Sequence, residues 1–131
     1  MAELWGSLHN VKIDVKSNIG VRNIIASNVS IGKSVFIGNN NIFESKVSIG
    51  DFSSIGEVNN IFLHPSMIFI GENTKVGKNV TIGDNAYIST NVIIGDNTKI
   101  GKFAIIESDS TIMDNVIIGD NEIVKNGSIV R

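Results

Sequence analysis

From residue 13 onward, a large apolar residue recurs at every sixth position. The series runs Ile13, Ile19, Ile25, Ile31, Ile37, Phe43, Ile49, Ile55 and Ile61. It steps nine residues to Ile70, then resumes as Val76, Ile82, Ile88, Ile94, Ile100, Ile106, Ile112, Ile118, Val124 and Val130. Helical packing needs a period of 3.6, which these anchors do not follow. Six residues suit one short strand and a corner, and hexapeptide repeats are a signature of parallel β-helices. Three such sides close a triangular coil of eighteen residues.

The rest of the hexad agrees. Eleven of the thirteen glycines directly follow an anchor. The fourth place is Asn at 28, 40, 73, 79, 85, 91, 97, 115 and 121, Asp at 109 and Gly at 127. Those types tolerate a left-handed or bridge backbone, so a corner is expected there. The fifth place is mostly small or β-branched (Val29, Val35, Val47, Val80, Ala86, Val92, Ala104), as a residue filling a tapered corner should be. Asn23, Asn41 and Asn59 hold that place at intervals of eighteen. They should stack as an amide ladder ending where Val80 takes the next place. Coils stacked at about 4.8 Å would make a prism roughly 30 Å tall. Each buried anchor contributes on the order of 1.5–3 kcal/mol.

Composition removes several functions. The chain has 131 residues and a net charge of −2, with no basic stripe, so nucleic acid is not an expected partner. It has no cysteine, which excludes disulfides and thiolate chemistry. The start, MAELWGSLHN, lacks the features of a signal peptide. No apolar run reaches about eighteen residues, so no membrane span is expected. Cytoplasmic localisation follows as the expectation.

The hexads "IGDNAY", "IGDNTK", "VGKNVT" and "IGKSVF" make the chain resemble the hexapeptide-repeat acyltransferases over residues 13–131. The resemblance implies an all-β fold: a left-handed, three-sided parallel β-helix behind a short N-terminal cap at 1–12. It also implies acetyl-CoA as co-substrate, a sugar or sugar-nucleotide amine or hydroxyl as acceptor, and a homotrimer with active sites between prisms. Outer apolar positions Phe36, Ile42, Ile93, Ile105 and Ile117 are expected to bury part of one face. The chain ends on the anchor Val130, so a partner or a continuing chain is expected to cover the last coil.

Function on a solenoid is expected where regularity fails. The break is Phe62-Leu63-His64-Pro65-Ser66-Met67-Ile68-Phe69, read from the anchors as a three-residue insertion within 62–69. It carries the only proline, which suits a place outside the hydrogen-bond ladder. His64 is the candidate general base, because imidazole titrates near neutral pH. In the resembling family a histidine takes a proton from the acceptor as it attacks the acyl thioester. The alternative is that "HPS" merely opens a new run of coils. Ile106-Glu107-Ser108-Asp109 is similar to a Glu-His-Asp-Cys motif of the sialic-acid O-acetyltransferase and amino-sugar N-acetyltransferase group. Ser108 stands where that group has its catalytic histidine, and Glu107 and Asp109 read equally as solvated corner residues.

His9 sits near Trp5 and Leu8 and reads as structural. Two histidines fall short of the ligands of a γ-class carbonic anhydrase or a His-rich zinc site, so no metal is expected. Lys33, Lys78 and Lys102 each follow an anchor-glycine pair and either meet a cofactor phosphate or simply stay solvated. Two functions therefore remain: a CoA-dependent acetyltransferase, and a non-catalytic trimerising module or detached β-helical domain of a sugar-phosphate nucleotidyltransferase.

Overall fold

The computed structural model describes residues 3–4, 10–56 and 69–131. Every regular element among them is a two-residue strand, and the twenty strands fall into three parallel sheets. The first face stacks Glu3–Leu4, Ile24–Ile25, Ile42–Phe43, Phe69–Ile70, Tyr87–Ile88, Ile105–Ile106 and Ile123–Val124. The second stacks Lys12–Ile13, Ser30–Ile31, Ser48–Ile49, Lys75–Val76, Ile93–Ile94, Thr111–Ile112 and Ile129–Val130. The third stacks Asn18–Ile19, Phe36–Ile37, Ser54–Ile55, Thr81–Ile82, Lys99–Ile100 and Ile117–Ile118. This is the expected three-sided parallel β-helix with eighteen residues per coil. It begins earlier than expected, since Glu3–Leu4 already pairs with Ile24–Ile25 inside the segment read as a cap.

In the strands whose burial is described, one residue is more buried than its neighbour, in most cases a buried anchor beside an exposed residue. The inward anchors form one continuous core, with Ile25, Phe43, Ile55, Ile70, Ile88, Ile106 and Ile112 fully buried. Fifth-place residues fill the corners beside them, including Val29, Val80, Val92, Ala86 and Ala104. Where that place is polar, the side chain bonds to a backbone carbonyl of the next coil. Thr74 Oγ1 donates to Ser89 O at 2.8 Å, Thr98 Oγ1 to Met113 O at 3.0 Å, and Ser110 Oγ to Lys125 O at 2.9 Å. Buried polar groups need such partners.

Corner geometry explains the asparagines. Among the described residues the fourth residue is left-handed at every corner except Lys16, with φ near 60° from Asn10 to Asn121 and 73° at Gly127. Most L residues lose roughly 1–2 kcal/mol in that conformation, while Gly, Asn and Asp lose less. The corner asparagines also bond along the prism edge: Asn73 Nδ2 donates to Asn91 Oδ1 at 3.0 Å, Asn91 Nδ2 to Asp109 Oδ1 at 3.2 Å, and Asn79 Nδ2 to Asn97 Oδ1 at 2.9 Å. The side-chain ladder thus runs along the exposed edges, at place four. Asn23 and Asn41 do stack, but there the Asn41 N–H donates to Asn23 Oδ1 at 2.9 Å. Asn59 lies outside the described residues. Val80 stands over Ser53 instead, donating its N–H to Ser53 Oγ at 3.2 Å.

The glycine after the anchor has a steric cause. An acidic residue in the third place reaches back one coil, so that the Lys102 N–H donates to Asp120 Oδ1 at 2.8 Å. A Cβ on Gly101 would lie 2.5 Å from both Oδ1 and N of Asp120. Gly95 is crowded in the same way by Asp114.

The insertion is longer than the anchors implied. Regular neighbours are eighteen residues apart, as in the Lys78–Asp96 bond, but across the break the Val80–Ser53 bond spans 27. Phe43 pairs with Ile70, Ile49 with Val76 and Ile55 with Ile82. The extra length is therefore nine residues, not three, and Ile70 fills the rung between Phe43 and Ile88. The chain leaves after Ile55 on the third face and re-enters at Phe69 on the first.

Candidate functional site

The departure point defines the candidate site, because His64 belongs to the inserted segment. His64, like His9, Trp5 and Leu8, lies outside the described residues. What is described is the socket from which the segment leaves, on the prism edge between the third and first faces. Its lower root is tied down from both sides: the Gly38 N–H donates to Ile55 O at 2.9 Å, and the Gly56 N–H donates to Ile82 O at 2.9 Å. Its upper root is held by the Glu44 N–H, which donates to Ile70 O at 3.0 Å. Both ends of the insertion are thus fixed by ladder bonds.

Two amide groups flank this socket. Asn41, one coil below, is fully buried and donates Nδ2 to Gly56 O at 3.1 Å. Asn85 holds the left-handed corner of the coil above. The Oδ1 atoms of Asn41 and Asn85 are buried and find no hydrogen-bond partner among the described residues. A buried acceptor without a donor is costly, and these two bracket the interruption of the coil between Gly56 and Phe69. No spacing rule marks them, since both occupy ordinary hexad places.

The Glu107-Ser108-Asp109 corner lies elsewhere, on the edge between the first and second faces. There the structural alternative explains all three residues. Ser108 Oγ lies 2.6 Å from Ser89 Oγ and 3.2 Å from Thr90 Oγ1. The Asn126 N–H donates to Glu107 Oε2 at 2.9 Å, while Asn126 Nδ2 donates to Ser108 O at 2.9 Å. Asp109 ends an edge ladder with φ 62°. Ser108 is not brought to the socket.

The three lysines divide between two edges. Lys33 and Lys78 share the edge between the second and third faces, and Lys102 sits on the edge of the socket, two coils further on. Their backbone amides donate to Asp51, Asp96 and Asp120, leaving the side chains exposed. Among the described residues no three His, Cys, Asp or Glu side chains converge as a metal group. No described helix is long and apolar enough to cross a membrane.

The outward column of the first face is a feature that sequence reading missed. Ile24, Ile42, Tyr87, Ile105 and Ile123 fall in register on it and are all partly or largely exposed. In the same column the second face carries Ile93 and Ile129 among Lys12, Ser30, Ser48, Lys75 and Thr111, and the third carries Phe36 and Ile117 among Asn18, Ser54, Thr81 and Lys99. The five positions expected on one face are dispersed: Ile42 and Ile105 on the first, Ile93 on the second, Phe36 and Ile117 on the third. Only residues a whole number of coils apart share a face. Counting by eighteen from Tyr87 to Ile105 to Ile123 would have found the stripe.

Residues 73–108 match a family model described as bacterial transferase hexapeptide (six repeats). No curated protein sequence matches the chain significantly. Among solved structures, the chain is similar to the H141N mutant of perosamine N-acetyltransferase from Caulobacter crescentus, in complex with CoA and GDP-perosamine. That match has 15% identity and a TM-score of 0.70, over 86% of this chain and 50% of the other. A hexapeptide transferase family protein from Anaplasma phagocytophilum aligns at 18% identity and TM-score 0.61, over 92% of this chain and 69% of that one. PerB from Caulobacter crescentus, with CoA and GDP-perosamine, aligns at 14% identity and TM-score 0.54, over 91% of this chain and 51% of that one. The chain thus spans about half the length of the Caulobacter proteins. At these identities the similarity shows the hexapeptide-repeat fold expected from the anchors.

Proposed function

On the premise of that repeat and fold, we propose that the protein is an acetyltransferase of the hexapeptide-repeat type, acting in the cytoplasm. Acetyl-CoA is the donor, and an amine or hydroxyl of a sugar or sugar nucleotide is the acceptor. The observation that carries this reading is the nine-residue insertion between Ile55 and Ile70, whose sequence contains His64, on a fold shared with an N-acetyltransferase. In the reaction His64 takes a proton from the acceptor as its nitrogen or oxygen adds to the thioester carbonyl. The new C–N or C–O bond forms, the C–S bond breaks, and the proton passes to the departing CoA thiolate. The test is thiol release from acetyl-CoA across a panel of amino sugars and nucleotide-linked amino sugars. Acceptor-dependent release that disappears in His64→Ala, with an unchanged melting temperature, supports the reading. Equal release in the variant removes His64 from it.

The apolar column on the first face supports a homotrimer. Contiguous exposed apolar surface of this kind marks an interaction site, and the socket edge adjoins the same face. A neighbouring prism seated there would border the socket edge and complete a cleft.

A further inference from the structure

The repeats supply their own control for what a corner needs. Of the seventeen left-handed corners among the described residues, ten are Asn, a type that tolerates the conformation and in several cases bonds to the next coil. Phe52 and Phe103 stand in such corners at φ 61° and 59°. A bulky side chain is an outlier there, and both rings are also exposed. Two unfavourable choices at one position, with a better residue used all around, indicate a role for the ring outside the fold. Phe103 stands on the corner that borders the first face. Phe52 does not: it lies on the opposite edge, between the second and third faces, and is 63% exposed. Phe36, 53% exposed on the third face, pairs in register with Ser54, two residues beyond Phe52.

Phe52 also adjoins a groove. A concavity of about 550 Å³ runs over the first coils, lined by Lys12, Ile13, Asp14, Ile31, Lys33 and Asp51, and ends at the residue preceding Phe52. It is a shallow, open concavity on the outside of the edge. Its lining carries two lysines and two aspartates, and each carboxylate accepts a backbone N–H: Asp51 Oδ1 from Lys33 at 2.8 Å, and Asp14 Oδ1 from Lys16 at 2.9 Å. The Phe52 N–H donates to Lys33 O at 2.9 Å, which fixes the ring one rung from the Lys33 root.

We propose that this edge is a nucleotide subsite, in which an aromatic base stacks on the Phe52 ring and its diphosphate lies in the groove against Lys33 and Lys12. A ring face with a cation one rung away is the arrangement that takes a base and its phosphate together. The proposal deepens the acetyltransferase reading, because CoA and a sugar nucleotide share this nucleoside diphosphate chemistry.

The test is calorimetric titration with ADP, GDP, UDP, adenosine 3′,5′-bisphosphate and inorganic pyrophosphate, on the wild type and on Phe52→Asn. Asn suits the corner, so the variant should melt no lower than wild type. Binding of at least one nucleotide, weakened about tenfold in the variant, with pyrophosphate much weaker, is the expected result. A preference for the adenosine bisphosphate identifies the donor's nucleotide end, and a preference for GDP or UDP identifies the acceptor's. Equal affinity in wild type and variant, or no nucleotide binding at millimolar concentration, overturns the proposal. If Phe52→Asn transfers acetyl groups with unchanged KM for both substrates, the subsite falls and the His64 reading survives. If nucleotide binding depends on Phe52 but no acetyl transfer occurs, the subsite stands and the reaction reading falls.

Discussion

Replacing Gly101 by Ala should destabilise the protein, although this substitution ordinarily does the reverse. A glycine with a compatible backbone normally gains about 0.4–1 kcal/mol when changed to Ala, because the unfolded chain loses freedom. At Gly101 the added methyl would meet Asp120 N and Oδ1 at 2.5 Å and the Gly119 carbonyl carbon at 2.6 Å. Two of those contacts are main-chain atoms of the next coil, so a side-chain rotation cannot relieve them. Either the coils separate locally or the Lys102–Asp120 bond of 2.8 Å is lost. Overpacking of this kind costs about 1–3 kcal/mol, and the lost bond about another 1 kcal/mol. The net expectation is destabilisation of about 2 kcal/mol, a fall of roughly 6–8 °C in melting temperature for a chain of this size. Gly119 is the control, since its only close neighbour is Glu122 Oε1 at 3.3 Å. Gly119→Ala should leave the melting temperature unchanged or raise it slightly. Thermal melts followed by circular dichroism decide the matter. If Gly101→Ala melts at or above wild type, the coil-to-coil interlock does not explain the glycines.

Three further outcomes follow from the same structure. Ile94 is 2% exposed in the central core, so Ile94→Asp should abolish the cooperative melt, because a carboxylate buried among aliphatics has no partner. Asn91 combines φ 57° with bonds to Asn73 and Asp109; Asn91→Val should cost about 1–2 kcal/mol, and a denaturant midpoint equal to wild type would refute the edge ladder. If the first face seats a second prism, Ile105→Lys should reduce the sedimentation coefficient to that of a monomer while circular dichroism stays native, whereas an unchanged assembly places the contact elsewhere.

Most of the fold was legible because the two periods that define it are written in side-chain size and corner type. An Ile every sixth residue has one strand geometry that buries it, and Asn at the fourth place names a left-handed corner before any coordinate is known. The length of the insertion was hidden for a physical reason. Ile61 lies six residues after Ile55 and imitates an anchor, so spacing alone treats it as a further side of the prism. Only the pairing of Phe43 with Ile70 reveals the full nine-residue excursion. Asn41 and Asn85 were invisible because an unpartnered oxygen is a property of neighbours in the adjoining coil, not of residue type. Phe52 was the reverse case: its departure from the corner rule stands in the sequence as "GDF", but exposure and the adjoining groove give it meaning.

The way the excursion rejoins the prism governs how such a chain can change length. Because the strand at Phe69–Ile70 resumes the first face in phase, every downstream anchor still faces inward. One residue added or removed inside a side would instead act as a frameshift in three dimensions, turning each later aliphatic toward water. Diversification by insertion is therefore channelled to the vertices, where segments of very different size can be exchanged without disturbing the scaffold that presents them.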